Sequence, residues 1–212
     1  MNITVLIDNQ VLNHQEYKMI ESKEVFEAFQ EHRGNAIVSV QGTSGKHWAD
    51  VTTNQNRDIS MGGAMGQSTA AIFGLALGLP NEKVVHFDTE GALLMNLGVL
   101  ASIAGKKPAN FVHFLLDNGC YATTGGQPVP NSEDIDYSVI AAGTGYAATY
   151  NFDDLEELST SLDEIMSQDG PVFVAIKVPA EVENLPIGMR EKRASRSRGQ
   201  TISDLRAELG IS

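Results

Sequence analysis

Four short apolar runs, rich in β-branched and aromatic residues and bounded by turn residues, recur along the chain. They are AIVSV at 36–40, KVVHF at 83–87, NFVHFLL at 110–116 and PVFVAIKV at 171–178. Runs of this length and composition are typical of strands buried on both faces. The pattern therefore predicts at least four interior strands.

Segments with helical periodicity separate these runs. The segment 22–32 places Val25, Phe26 and Phe29 on one face, and 66–79 is small and apolar. The segment 92–105 is amphipathic, and 153–168 begins with acidic residues, which suit a helix N-terminus. Strands alternating with helices predict an α/β protein with a three-layer α/β/α arrangement around a mainly parallel sheet. In such sheets ligands bind beyond the carboxyl ends of the strands, so chemistry is expected in the loops there.

Composition narrows the possible partners. The 212 residues carry a formal net charge of -12, which opposes general attraction to nucleic acid or to anionic membranes. The N-terminus lacks the features of a secretory signal, and the single cysteine, Cys120, has no partner for an internal disulfide. We therefore expect a cytoplasmic protein.

Residues 190–198 hold five of the 15 basic residues. We interpret this segment as solvated, with a lid or partner contact as the alternative.

The first two candidate loops are rich in glycine. Residues 41–47 read QGTSGKH, where glycines permit close backbone approach and two hydroxyls can bind an anion. Residues 60–67 read SMGGAMGQ and lead into the small apolar segment, which suits an anion at a helix N-terminus. An ordinary turn explains the first loop equally well, and close helix packing explains the second.

The next two loops carry oxygen ligands. Asp88 and Glu90 follow the second run, where a carboxylate can hold a divalent cation or can cap a helix. Asn118 follows the third run and offers a neutral oxygen, although Asn118-Gly119 is also a common turn pair.

Taken together and in this order, the four loops resemble the diphosphate-binding domain of thiamine diphosphate enzymes. The similarity is greatest to the sulfopyruvate and phosphonopyruvate decarboxylase group. It includes the segments GGAMGQ, EGALLMNLGVLASIAG and LLDNGCYATTGGQP, and it extends over roughly residues 18–190. We predict that these residues form the domain, that 1–17 are an N-terminal extension and possible edge strand, and that 191–212 are a basic segment with a short helix.

The resemblance implies a set of ligands for Mg²⁺ and for the cofactor. The family binds Mg²⁺ through the Asp of a Gly-Asp-Gly motif, through a later Asn, and through the backbone carbonyl two residues beyond that Asn. Carried onto this chain, these metal ligands are Glu90, Asn118 and the carbonyl of Cys120, so no thiol chemistry is implied for Cys120. The implied contacts to thiamine diphosphate are Thr43, Ser44, Gly63, Met65, Gly91, Ala92, Asn118 and Thr123.

Three of these positions have particular roles in the family. Met65 stands where the family has a large apolar residue that wedges the cofactor into its bent shape. The resemblance implies that the Gly63 carbonyl accepts a hydrogen bond from the cofactor amino group, and that the N-H of Ala92 lies against phosphate. The chain departs from the motif because Thr89 replaces the first Gly and Glu90 replaces the Asp. The longer carboxylate arm is expected to weaken Mg²⁺ or to favour Ca²⁺ or Mn²⁺.

The resemblance also implies a partner. In the family the glutamate that activates the cofactor lies on a pyrimidine-binding domain, for which 212 residues leave no room. We therefore expect a second subunit, a hetero-oligomer and a small 2-oxo acid substrate, with Lys46 and His47 as candidate contacts to an acidic substrate. The reaction class is decarboxylation or carboligation. The alternatives are a noncatalytic assembly or regulatory subunit and half of a transketolase-like or dehydrogenase E1 enzyme.

Overall fold

A computed structural model describes residues 19–42, 45–62, 65–185, 189 and 196–211. The predicted N-terminal extension 1–17 lies outside the described residues. Helices and strands alternate along most of the chain, as the hydrophobic pattern predicts. The α-helices are α1 (Ser22–His32), α2 (Gly45–Val51), α3 (Ser68–Gly78), α4 (Glu90–Leu94), α5 (Val99–Lys106), α6 (Tyr137–Thr144), α7 (Leu155–Ser167) and α8 (Arg198–Glu208).

Six of the described strands form one sheet in the order β2-β1-β3-β4-β8-β7, and every pairing in it is parallel. A second, two-stranded sheet pairs β5 with β6. The strands are β1 (Ile37–Val40), β2 (Asp58–Ile59), β3 (Val84–Thr89), β4 (Phe111–Asp117), β5 (Cys120–Tyr121), β6 (Gln127–Pro128), β7 (Ala148–Phe152) and β8 (Val172–Lys177). The predicted α/β class and its parallel sheet are confirmed.

Helices cover both faces of the sheet, which explains why the central strands are apolar on both sides. On one face α1 and α7 bury Phe26, Phe29 and Leu158 against the sheet. On the other, α3, α5 and α6 bury Ile72, Ile103 and other apolar side chains. All seven residues of β4 are buried. A strand covered in this way is mostly apolar on both sides, and it does not show the alternation of a half-exposed strand.

The structure contains elements that the sequence pattern does not predict, among them α2, α6 and β2. Two further differences have a local physical reason. The predicted continuous helix at 92–105 is divided into α4 and α5 by turns at 95–98. The chain around Gly98 provides the break, because glycine and asparagine favour turns over helix interiors. The pattern also misses β7, in which Ala148 to Tyr150 are only partly buried and Asn151 is exposed, since it is an edge strand without a continuous apolar run.

The described part of the basic C-terminal segment packs on the body of the domain. Leu205 of α8 is 4 % exposed and belongs to the apolar cluster that contains Ile59. The hydroxyl of Thr201 accepts the Ser60 N-H at 3.3 Å. Among the described helices, none combines the length and the apolar character that crossing a bilayer requires.

Candidate active site

A cavity of about 380 Å³ opens at the carboxyl ends of β1, β3 and β4. The chain leaves β1 for α2 on one face of the sheet and leaves β3 for α4 and α5 on the opposite face. Such divergence opens a crevice between adjacent strand ends, which is where α/β sheets bind ligands. Residues from four loops line it: Val40, Gln41, Gly42, Gly45, Ser60, Gly62, Met65, Thr89, Gly91, Asn118, Cys120, Tyr121, Ala122, Thr123 and Thr124.

The cavity brings together five of the residues singled out in the sequence. Met65, Gly91, Asn118, Cys120 and Thr123 all line it. Two more candidates are buried next to it. Glu90 is 0 % exposed and Ala92 is 1 % exposed. The remaining three, Thr43, Ser44 and Gly63, lie outside the described residues.

Glu90 is an unusual carboxylate, because it is buried with one oxygen unpaired. Its Oε2 accepts the backbone N-H of Asn118 at 3.3 Å, while Oε1 has no hydrogen-bond partner. Burial, together with the nearby charge of Asp117, raises the pKa of Glu90 to about 8. At neutral pH and without a cation, the side chain is therefore mostly protonated.

Asn118 forms the turn that shapes the neighbouring loop. Its Oδ1 accepts the Cys120 N-H at 3.0 Å, and Gly119 has a φ of 73° that suits glycine. The same Oδ1 could still bind a metal ion, because an amide oxygen has a second lone pair. A role of Asn118 in the turn therefore does not exclude a role as a ligand. Burial and Glu90 raise the pKa of the Cys120 thiol, which does not favour a thiolate nucleophile.

Two glycines at the cavity lie too close to neighbouring side chains to carry a side chain of their own. A Cβ at Gly91 would lie 2.7 Å from Cε1 of Tyr121. One at Gly42, where φ is 89°, would lie 2.6 Å from Cγ2 of Thr89. Side chains at either position would push the β3 loop away from its neighbours, so both glycines keep the loops close around the cavity.

A buried polar cluster lies beneath the β3 loop. Asp88 is 0 % exposed and accepts the Thr69 hydroxyl at 2.5 Å and the Thr89 N-H at 2.8 Å. Burial alone would raise the pKa of Asp88, but His113, His86 and Thr69 together hold it below its usual value. Burial lowers the pKa of His86 to about 4. The cluster thus retains Asp88 as a carboxylate beside neutral His86.

The sequence interpretation missed several charged groups near the cavity. Asp117, the last residue of β4, pairs with Lys177 at 2.5 Å. Oε2 of Glu181 lies 2.7 Å from Nζ of Lys46 and 2.8 Å from Nε2 of His47. Asp117 follows an apolar strand as Asp88 does, so its position was a usable signal. Glu181 lies in the loop after β8, and no local pattern distinguishes it.

Any metal site here has to use neutral oxygens in addition to a carboxylate. Within the described ranges, no three His, Cys, Asp or Glu side chains converge on a common point suited to a metal. Glu90 is the carboxylate next to the cavity wall, and Asn118 supplies an amide oxygen. A hard divalent cation accepts such mixed oxygen ligands.

Comparison with known proteins finds a family match and several related chains. The family model for the thiamine pyrophosphate enzyme C-terminal TPP-binding domain matches residues 39–176. Phosphonopyruvate decarboxylase of Streptomyces viridochromogenes is 37% identical over 156 residues, which are 72% of this chain and 38% of that protein. Sulfopyruvate decarboxylase subunit beta of Methanothermobacter thermautotrophicus is 36% identical over 131 residues, which are 62% of this chain and 67% of that subunit.

A solved structure shares the fold. The thiamine diphosphate-dependent 4-hydroxybenzoylformate decarboxylase of Rhodococcus jostii superposes with a TM-score of 0.66 at 18% identity, over 76% of this chain and 33% of that one. The chain spans less than two-fifths of the two phosphonopyruvate decarboxylases that it matches, at 38% and 35% of their lengths. The family match covers the strands and loops that form the cavity. The chain therefore belongs to the family of the thiamine pyrophosphate enzyme C-terminal TPP-binding domain.

Proposed function

We propose that this chain is the diphosphate-binding half of a thiamine diphosphate-dependent 2-oxo acid decarboxylase or carboligase whose active site is completed by a second polypeptide. The observation that carries the proposal is the buried Glu90, with its unpaired Oε1, beside a cavity framed by the loops after three parallel strands. A buried unpaired carboxyl oxygen is costly unless a ligand or cation satisfies it.

The residues present fit a divalent cation. Glu90, the side chain of Asn118 and the carbonyl of Cys120 would supply three oxygens from two adjacent loops. Burial and repulsion from Asp117 raise the pKa of Glu90. A bound cation would stabilise the ionised form of Glu90 and offset that repulsion. Ions that accept irregular oxygen geometry, such as Ca²⁺ and Mn²⁺, are alternatives to Mg²⁺ because Glu90 is longer than Asp.

The other candidate residues would bind and shape the organic part of the cofactor. Gly91 and the N-H of Ala92 are assigned to the diphosphate, as is the Thr123 hydroxyl. Thr43, Ser44 and Gly63 retain their assignments from the sequence. Met65, which lines the cavity, would support the bent cofactor. When bound, thiamine diphosphate supplies a nucleophilic carbon and an electron sink, so that a 2-oxo acid can lose carbon dioxide.

The second polypeptide is proposed to carry the pyrimidine-binding domain and its glutamate. The name of a matched relative, subunit beta of sulfopyruvate decarboxylase, supports a divided enzyme. The surface of α3 adds a physical argument, because its exposed positions include Ala70, Ala71, Gly74 and Leu77 and no charged residue. By contrast, α1 and α7 expose charged side chains such as Glu31 and Glu157. An uncharged helix surface of small residues suits close contact with another protein.

The proposed substrate is a small 2-oxo acid. Lys46 and His47 are candidates for contacting an acidic group, and both pair with Glu181. Their contribution to substrate binding would therefore require partial release from Glu181. Acidic 2-oxo acids are the first compounds to examine, since the matched relatives are named for phosphonopyruvate and sulfopyruvate.

The experiment is a screen of 2-oxo acids for carbon dioxide release by the chain mixed with its candidate partner, with thiamine diphosphate and Mg²⁺ present. We expect release with at least one acidic 2-oxo acid and its loss in Asn118→Ala. The control is Asn96→Ala, which removes an exposed amide in the turn between α4 and α5. A complex that assembles but binds neither metal nor cofactor would support the noncatalytic alternative.

A further inference from the structure

Asp88 connects two segments that border the cavity, although it does not line the cavity itself. Its Oδ1 accepts the backbone N-H of Thr89, at 2.8 Å, directly before Glu90. Its Oδ2 accepts the hydroxyl of Thr69, at 2.5 Å, from the first turn of α3. One carboxylate thus contacts both the turn that presents Glu90 and the helix that follows the Met65 loop.

The contact with Thr69 lies in the interior of the protein, and the contact with Thr89 is partly buried. Asp88 is 0 % exposed and Thr69 is 3 % exposed, so water does not compete for the hydrogen bond between them. A hydrogen bond to a buried charged group is stronger than a neutral or exposed one. The contact therefore restrains the two segments relative to each other more firmly than a surface hydrogen bond would.

One further side chain lies against Asp88. The Nε2 of His113 on β4 lies 3.6 Å from Asp88 Oδ2, and His113 is 0 % exposed. On its other side, His113 Nδ1 lies 3.3 Å from the hydroxyl of Tyr146. The carboxylate therefore lies between β4 and α3.

We propose that Asp88 and Thr69 are positioning residues, whose contact keeps the Glu90 turn and the start of α3 in register across the cavity. The metal end of the site and the Met65 wall would then be fixed relative to each other before the cofactor binds. The role of this contact in cofactor binding rests on the proposed function. Its restraint of the Thr89 backbone does not, and it can be measured on the chain alone.

Two substitutions on adjacent positions of α3 provide the test. Thr69→Val removes the hydroxyl that Asp88 accepts and keeps the branched shape. Ser68→Ala is the matched control, because Ser68 is 1 % exposed and its hydroxyl has no hydrogen-bond partner. Thr69→Ser restores the hydroxyl. Asp88→Asn is the second variant, which keeps an oxygen for Thr89 and loses the charge.

The first measurement is native-state hydrogen exchange of the Thr89 amide in the chain without cofactor. We expect exchange about tenfold faster in Thr69→Val, unchanged in Ser68→Ala and restored in Thr69→Ser, because a hydrogen bond to a charged group stabilises by about a tenfold factor. Asp88→Asn should also increase exchange of the Thr89 amide. If Thr69→Val does not fold, the exchange rate in Asp88→Asn provides the test. Equal exchange in Thr69→Val and Ser68→Ala, or in Asp88→Asn and the unmodified chain, would overturn the proposal.

The second measurement is the Mg²⁺ affinity of the complex with thiamine diphosphate and the partner. Loss of a residue that orients a metal ligand lowers affinity by about 10- to 100-fold, so Thr69→Val should fall in that range and Ser68→Ala should not. If exchange at Thr89 changes as expected while the unmodified complex binds no metal, the restraint stands and the proposed function fails. If metal binds equally well to all variants, the positioning role fails.

Discussion

The backbone N-H of Asn118 donates to Oε2 of Glu90 across 3.3 Å, which joins the loop after β4 to the loop after β3. This bond satisfies one carboxyl oxygen of Glu90 and leaves Oε1 unpaired beside the cavity. Because the two loops are connected through the proposed metal ligands themselves, the protonation of Glu90, the binding of metal and the stability of the site should be linked.

The first prediction concerns pH. Glu90 has a pKa of about 8 in the folded chain, well above the ordinary value of a glutamate, so the folded chain holds a proton that the unfolded chain releases. Without metal, the free energy of unfolding should therefore decrease as pH rises from about 4.5 to about 8, with a limiting slope of about 1.4 kcal/mol per pH unit from this group. Urea unfolding of the chain across this range checks it.

Glu90→Gln supplies the control for the pH dependence. The amide has the same shape and does not titrate, so the decrease in stability between about pH 4.5 and 8 should become shallower. Saturating Mg²⁺ should also offset the decrease in the unmodified complex and not in the variant. Identical pH profiles for the unmodified chain and Glu90→Gln would contradict the assigned protonation.

Shortening the proposed metal ligand should tighten the site. Glu90→Asp brings the chain to the carboxylate of the family motif, and we expect Mg²⁺ to bind more tightly and to discriminate better against Ca²⁺, because Mg²⁺ requires stricter geometry. Calorimetric titration of both metals into the complex measures the change. Weaker Mg²⁺ binding in Glu90→Asp would mean that the loop is built around the longer side chain.

Truncation of Met65 should separate turnover from binding. Met65 lines the cavity from the segment before α3, and its loss removes apolar support without removing any proposed metal or phosphate ligand. Met65→Ala should therefore lower kcat more than it lowers cofactor affinity. The control is Met166→Ala, a partly buried methionine on α7 that packs in the core on the opposite face. Equal losses in kcat and affinity would indicate a general packing role for Met65.

The uncharged surface of α3 should be needed for assembly. Ala71→Arg places a charge on this exposed surface and should prevent association with the partner while the chain stays folded. Glu31→Arg places the same side chain on α1, whose surface is already charged, and should leave association intact. Sedimentation of each variant with the partner distinguishes them. Normal assembly of Ala71→Arg would remove α3 from the interface.

Local pattern was enough to predict the sheet and the general place of the site. The four apolar runs correspond to β1, β3, β4 and β8, because strands covered on both faces are mostly apolar. The loops that follow the first three converge at one cavity for the same topological reason. The fold and the family are confirmed, while the assigned site residues stay predictions.

The missed features depend on contacts between distant residues. The Asp88 contact with Thr69 and the Glu181 contact with Lys46 join segments that are far apart in the chain. Periodicity reports which positions are apolar, and it carries no information about which buried polar groups meet.

The central claim is that the active site is divided between two polypeptides. The isolated chain should bind thiamine diphosphate weakly, because it holds only the metal and diphosphate end, and it should not release carbon dioxide. The most direct measurement is a titration of the purified chain with its candidate partner at fixed cofactor, Mg²⁺ and 2-oxo acid, following complex size and carbon dioxide release in parallel. The account predicts that turnover rises with complex formation and reaches its plateau at the same stoichiometry. Decarboxylation by the chain alone at the rate of the mixture would contradict it.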